Sequence, residues 1–134
     1  MRPRFLLDTH ILLGWMMPDG KLSREQRRVL EEADRRAEPL SISAMSCLEI
    51  AFLVRDGRLK LRISLVSFFD ELQSHPSLQV LPLSCDVALE AASFADGLRD
   101  PADCVIVATA RIHHLRLITS DQRIIESRLV PVVE

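Results

Sequence analysis

Apolar residues fall along this chain in blocks that switch between strand length and helical spacing. Phe5-Leu6-Leu7 is apolar without alternation, which predicts a strand covered on both faces. Asp8 stands at its end. Apolar positions then resume at helical spacing through Ile11, Leu12, Trp15 and Met16, predicting a helix from Thr9 to Met17 that Pro18-Asp19-Gly20 closes. Val29, Leu30 and Ala33 form a narrow stripe on a second helix, Leu22 to Ala37, with Ser23 as its N-cap and a solvated charged face. Leu40-Ser41-Ile42 is β-like, and Ser43 caps a third helix reaching Arg55.

The second half repeats this rhythm. After the Asp56-Gly57 turn, Arg58, Lys60 and Arg62 alternate with Leu59, Leu61 and Ile63, as in a short extended segment with one basic face. That face reads either as a solvated edge or as a patch for phosphate. Leu65 to Gln73 is helical, Leu78 to Leu83 a strand, and a further helix starts near Ser84 or Cys85 and stops at Gly97. Asp100-Pro101 opens a helix to His113, His114 to Ile118 is a strand, and Ile124 and Ile125 lie in a short helical turn. Val130 to Val133 closes the chain as an edge strand, because Pro131 lacks a ladder donor. The order β-α-α-β-α-α-β-α-α-β-α-β predicts an α/β fold with a largely parallel sheet of four to five strands flanked by helices.

Two blocks break their own pattern. Cys47 to Val54 is almost wholly apolar with one carboxylate, Glu49, inside it. A helix apolar on most sides is buried on most sides, where a lone carboxylate is costly unless paired or metal-bound. Glu49 therefore belongs to a site, to a structural ion pair, or to an exposed stripe with Met45 and Arg55. In the other block, Asp100 suits an N-cap with Pro101 at the first helical position, and Asp103 lies in the first turn, where the helix dipole favours negative charge. Capping alone accounts for both.

Composition narrows the setting. A chain of 134 residues, 48% hydrophobic with four glycines, predicts one domain spanning 1–134 and no flexible linker. The net charge of −2 gives no global basic field, yet all but two of the 17 cations, Lys21 and Lys60, are arginine, the side chain best matched to phosphate. Cys47, Cys85 and Cys104 are too few and too widely spaced for a disulfide framework or a zinc site. Arg2 and Arg4 precede an apolar run, but Asp8 and His10 interrupt it and no cleavage site follows. No apolar run spans a bilayer, so a cytoplasmic protein without membrane contact is expected.

Four acids stand where strand ends or helix starts could gather them: Asp8, Glu49, Asp103 and Asp121, with Thr9 and Ser120 beside two of them. Carboxylates at close range raise one another's pKa and call for a cation, and oxygen donors select Mg²⁺ or Mn²⁺. Such ions suit in-line displacement at phosphorus. The four histidines lack metal-ligand spacing, with His10 at a helix start, and Cys104 has no histidine partner and reads as a packing residue.

Leu7-Asp8-Thr9-His10, Ser43 to Glu49, Asp100 to Ala110 and Leu117 to Asp121 resemble, in order and spacing, the PIN domain, and more narrowly the VapC-type ribonuclease toxins of bacterial toxin–antitoxin pairs. The resemblance covers essentially the whole chain. It implies a Mg²⁺- or Mn²⁺-dependent endoribonuclease that hydrolyses RNA phosphodiesters with a metal-activated water. It implies Asp8, Glu49, Asp103 and Asp121 as metal-binding and catalytic residues, oriented by Thr9 and Ser120. It further implies a homodimer with an antitoxin protein as partner. Two rivals stand beside it: an inactive PIN-like domain that binds RNA or a partner, and an aspartyl-phosphate enzyme, which would need a lysine that neither Lys21 nor Lys60 is placed to supply.

Overall fold

In a computed structural model, which describes residues 3–94 and 97–134, five parallel strands form one sheet in the order β3-β2-β1-β4-β5. The strands are β1 (Phe5–Leu7), β2 (Leu40–Ser43), β3 (Leu78–Leu81), β4 (Arg116–Ile118) and β5 (Val132–Val133). The helices are α1 (Thr9–Met16), α2 (Arg24–Arg35), α3 (Ala44–Arg55), α4 (Leu65–Ser74), α5 (Cys85–Ala92), α6 (Pro101–Ile112) and α7 (Gln122–Ser127). The expected α/β architecture is observed.

The central strand decides where chemistry can occur. Leu7 pairs with Ile42 on one side and Ile118 on the other, so Asp8, Ser43 and Thr119 come level at the carboxyl edge of the sheet. The chain builds outward from β1 to β2 and β3, then returns to place β4 on the other side of β1. That reversal makes β1/β4 the topological switch point, where open α/β sheets bind ligands.

Strand alternation sends Phe5, Leu7, Leu40, Ile42 and Ile118 to one face, against α1, α2 and Phe68 and Leu72 of α4. Leu6 and Leu117 face the other side, against Ile106, Val107 and Ala110 of α6 and Ile124 of α7. Burying each such side chain stabilises the fold by about 1.5–3 kcal/mol, and both faces must be covered, which is why β1 has no polar position. Helix α3 serves both layers: Ile50 joins the first core and Met45 packs on the second.

Several boundaries differ from the pattern reading. Strand β3 stops at Leu81, just before Pro82, which has no ladder donor, and Leu83 is exposed. Helix α6 ends in a left-handed His114 (φ 56°), with the Leu115 amide returning to the Ala110 carbonyl at 2.8 Å, so β4 begins only at Arg116. Residues 58–63 pair with no strand: Leu59 and Leu61 pack on the core while Arg58, Lys60 and Arg62 stay exposed. Helix α5 ends at Ala92, and the stop expected at Gly97 follows residues 95–96, which lie outside the described residues, as does Arg2. Helix α3 is less buried than its composition suggests. Only Ser46 and Ile50 are buried in it, and Leu48 and Phe52 remain exposed, because one face alone meets the core. No described helix is long and apolar enough to cross a membrane.

Candidate active site

Asp8 is both the last word of β1 and the N-cap of α1. Its Oδ1 accepts from the Thr9 amide at 2.8 Å, and its Oδ2 accepts from the Thr119 hydroxyl at 2.7 Å. Thr119 Oγ1 also accepts from the Asp121 amide at 3.0 Å. One fully buried hydroxyl thus ties the carboxylate of β1 to the backbone carrying the acid after β4. Asp121 is itself the N-cap of α7, its Oδ1 accepting from the Arg123 amide at 2.9 Å.

Glu49 reaches the same place from α3. Thr9 Oγ1 donates to Glu49 Oε1 at 2.6 Å and lies 2.8 Å from the buried Ser46 Oγ. Thr9 has one hydroxyl proton and a carboxylate only accepts, so Ser46 completes the chain as donor to Thr9. Glu49 forms no ion pair among the described residues, and the exposed-stripe alternative is excluded by its bond to Thr9. Burial pushes its pKa up; the Thr9 bond pulls it down, and the charges of Asp8 and Asp100 raise it further.

Asp100 caps α6 with Oδ1 accepting from the Asp103 amide at 3.1 Å, and Pro101 stands at the helix start. Asp103 is the most perturbed group of the site. Burial, then the charges of Asp100, Asp121, Asp8 and Glu49, push its pKa up to about 7. All four predicted acids, with Asp100 as a fifth, therefore share one electrostatic field. Arg99 and Arg123 line a cavity of about 500 Å³ together with Asp100 and Asp103.

Thr9 donates to Glu49, while the Ser120 hydroxyl accepts from Gln26 Nε2 at 2.8 Å, and the hydroxyl that donates to an acid at this strand end is that of Thr119. Ser46, Thr119 and Gln26 carry no site signal in the sequence, whereas His10, close to Asp8, could be read there either as a substrate contact or as a helix-start surface residue. His10 Nε2 accepts from the Ser120 amide at 2.9 Å, which puts the ring proton on Nδ1, 3.5 Å from Asp8 Oδ2. Cys104 is buried and its Sγ contacts the Leu98 carbonyl at 3.3 Å; burial and the charges of Asp103 and Asp100 push its thiol up, away from thiolate chemistry.

Among the described residues no group of three or more acids, histidines or cysteines is placed to hold a metal ion, so the carboxylates stand apart from one another. Their donors are all hard oxygens. Burial and then four neighbouring carboxylates hold the Asp103 carboxyl above its ordinary range, and a divalent cation would relieve the repulsive part, so the donors suit Mg²⁺ or Mn²⁺ in charge and chemistry.

The fold is thus a parallel α/β sheet with carboxylates gathered at the carboxyl ends of its two switch-point strands. Residues 5–128 match the PIN domain, and the chain belongs to that family. It is 32% identical over 120 residues to ribonuclease VapC22 of Mycobacterium tuberculosis, covering 89% of this chain and 88% of that protein. The fold is similar to that of FitAcB from Neisseria gonorrhoeae (TM-score 0.70, 21% identity, 97% of this chain and 96% of that one). It is also similar to VapBC2 from Rickettsia felis bound to a DNA fragment from their promoter (TM-score 0.69, 16% identity, 96% of each chain).

Proposed function

We propose that this protein is a Mg²⁺- or Mn²⁺-dependent endoribonuclease and the toxin of a toxin–antitoxin pair. The observation that carries the reading is the convergence of acids from separate elements: Thr119 ties Asp8 to the Asp121 backbone, Thr9 holds Glu49, and Asp103, raised by burial and by these neighbouring charges, faces them. Asp8, Glu49, Asp103 and Asp121 would hold the cation, which when bound supplies charge stabilisation and water activation at a phosphodiester. Thr9 and Thr119 fix two of the carboxylates before substrate arrives, so little reorganisation is left for the reaction. Arg99 and Arg123, beside Asp103, are the side chains suited to phosphate oxygens. The relationship to a VapC ribonuclease supports RNA as substrate, and the toxin–antitoxin neighbours support an antitoxin partner. Exposed Leu48 and Phe52 on α3 and Leu89 on α5 support a homodimer.

An aspartyl-phosphate mechanism finds no lysine at the acids: Lys21 lines a neighbouring cleft and Lys60 is exposed between α3 and α4. The test is cleavage of a structured RNA with Mg²⁺ or Mn²⁺, with chelator, and by Asp8→Asn. Cleavage confined to the metal-supplemented wild type is expected; cleavage in chelator, or by Asp8→Asn at the wild-type rate, overturns the reading.

A further inference from the structure

Beside the acids, between α1 and α2, lies a second cavity of about 550 Å³. Its size falls within the roughly 300–1,000 Å³ range of small-ligand sites. Leu13, Met17 and Leu22 give it apolar walls. Gly20 lies so close to Gly14 that a Cβ on it would fall 1.9 Å from the Gly14 carbonyl oxygen, so the lining there is backbone. The remaining lining is polar, with Asp19, Lys21, Ser23 and Gln26 joined by His10 and Ser120, the two residues that also bound the acid cluster.

The polar groups of that lining are arranged unevenly. Gln26 is fully buried and fully used: Nε2 donates to the Thr119 carbonyl at 3.3 Å and to Ser120 Oγ at 2.8 Å, and Oε1 accepts from the Ser23 amide. Because Ser120 Oγ accepts from Gln26, its own proton is left to donate into the cleft. His10 Nε2 is held by the Ser120 amide and Nδ1 lies 3.5 Å from Asp8 Oδ2, which orients the ring while its side chain stays 46% exposed. A fixed, half-exposed aromatic face beside one free hydroxyl donor and apolar walls is the chemistry that receives a flat heteroaromatic ring with an acceptor on its edge. Lys21 at the same cleft supplies a cation for the flanking phosphate. With His10 Nδ1 only 3.5 Å from Asp8 Oδ2, a ring stacked there lies within one nucleotide of a phosphodiester at the acids.

We propose that the α1–α2 cleft is a nucleobase subsite, in which one unpaired base of the RNA next to the scissile phosphate stacks on His10 and accepts a hydrogen bond from Ser120. This rests on the ribonuclease reading for the identity of the polymer. A protein tail is the competing occupant, and the shared wall with the acids favours the base.

Two measurements test it without cleavage. In the first, Asp8→Asn is titrated with a fluorescent single-stranded RNA hexamer carrying an abasic residue at each position in turn. One position should lose affinity by roughly 5- to 100-fold, the usual effect of one stacked base. Adding Met17→Trp or Leu13→Phe, each of which fills the cleft, should erase that difference in chains whose far-ultraviolet spectra show them folded. His10→Phe, which keeps the stacking face, should retain affinity, and His10→Gln, which keeps only a hydrogen-bonding partner for Ser120, should lose it. In the second, AMP and UMP are added to wild type, and the His10 ring protons and the Met17 methyl should shift. Tight RNA binding that is indifferent to abasic residues at every position overturns the subsite while leaving the ribonuclease reading standing. So does unchanged binding in the filled variants, which shows that no base enters the cleft. If His10→Gln binds as wild type and His10→Phe does not, His10 only braces the loop and the assignment falls. A wild type that cleaves no RNA yet shifts His10 with mononucleotides sinks the ribonuclease reading and keeps only a base site on His10, with no scissile phosphate beside it.

Discussion

Thr119 Oγ1 donates to Asp8 Oδ2 at 2.7 Å and accepts from the Asp121 amide at 3.0 Å, so one buried hydroxyl sets the positions of two acids from different strands. Thr119→Val keeps the branched shape but leaves the Asp121 amide and one carboxylate oxygen without their partner. Stability should fall by roughly 1–3 kcal/mol in urea unfolding. RNA cleavage should fall about 10–100-fold, as when a residue supporting metal ligands is removed. Wild-type cleavage by the folded variant would show that Asp8 needs no such support.

The metal prediction follows from the convergence of the acids. Millimolar Mn²⁺ should raise the melting temperature, because a cation that binds only the native acids stabilises by about 2.7 kcal/mol at a hundredfold excess over its dissociation constant. Asp8→Asn should melt higher than wild type in chelator, since it relieves like-charge repulsion, and should gain less from Mn²⁺. An identical melting temperature for wild type with and without Mn²⁺ would remove the cation from the mechanism.

Metal-free stability should depend on pH in a direction opposite to that of a salt-bridged acid. The pKa of Asp103 rises from an ordinary 3.8 to about 7 in the fold, so between these values the native state holds more protons than the unfolded chain. Stability is then greatest near pH 4 and declines as pH rises towards 7, before other groups are counted. Asp103→Asn should flatten this slope, and saturating Mg²⁺ should also flatten it. Chemical unfolding from pH 4.5 to 8 in chelator reads the slope directly; equal slopes in wild type and Asp103→Asn would contradict it.

Glu49→Gln separates charge from shape. Gln can still accept from the Thr9 hydroxyl, so the fold should survive with unchanged or slightly higher stability in chelator. Metal affinity and single-turnover cleavage should drop by at least about tenfold. A destabilised variant that remains fully active per folded molecule would take Glu49 out of the site.

The sequence by itself determined the elements and marked Asp8, Glu49, Asp103 and Asp121 as acids that could be gathered. The unbroken apolar run of β1 requires cover on both faces, the alternation of strands and helices requires a parallel sheet, and Asp-Pro at residues 100–101 requires a helix start. These are local constraints, set by periodicity and by backbone donors, and they are legible within a few residues. Asp8 and Asp121 were readable for the same reason, since each follows a strand and caps the next helix.

Tertiary structure alone decided which neighbours hold those acids. Thr119 and Ser120 are adjacent hydroxyl residues of similar chemistry, and only strand direction beyond Ile118 turns the first to Asp8 and the second to Gln26, 94 residues away. Glu49 was ambiguous in sequence because a mid-helix carboxylate has no local partner to reveal it; the packing of α3 across the sheet edge brings it to Thr9, 40 residues distant. The same limit governed burial. Composition makes α3 apolar all round, but a helix meets its core along one face, and the sequence does not say which apolar residues, here Leu48 and Phe52, stay in solvent. Long-range register, which no local propensity encodes, turned a series of separate acids into one electrostatic field.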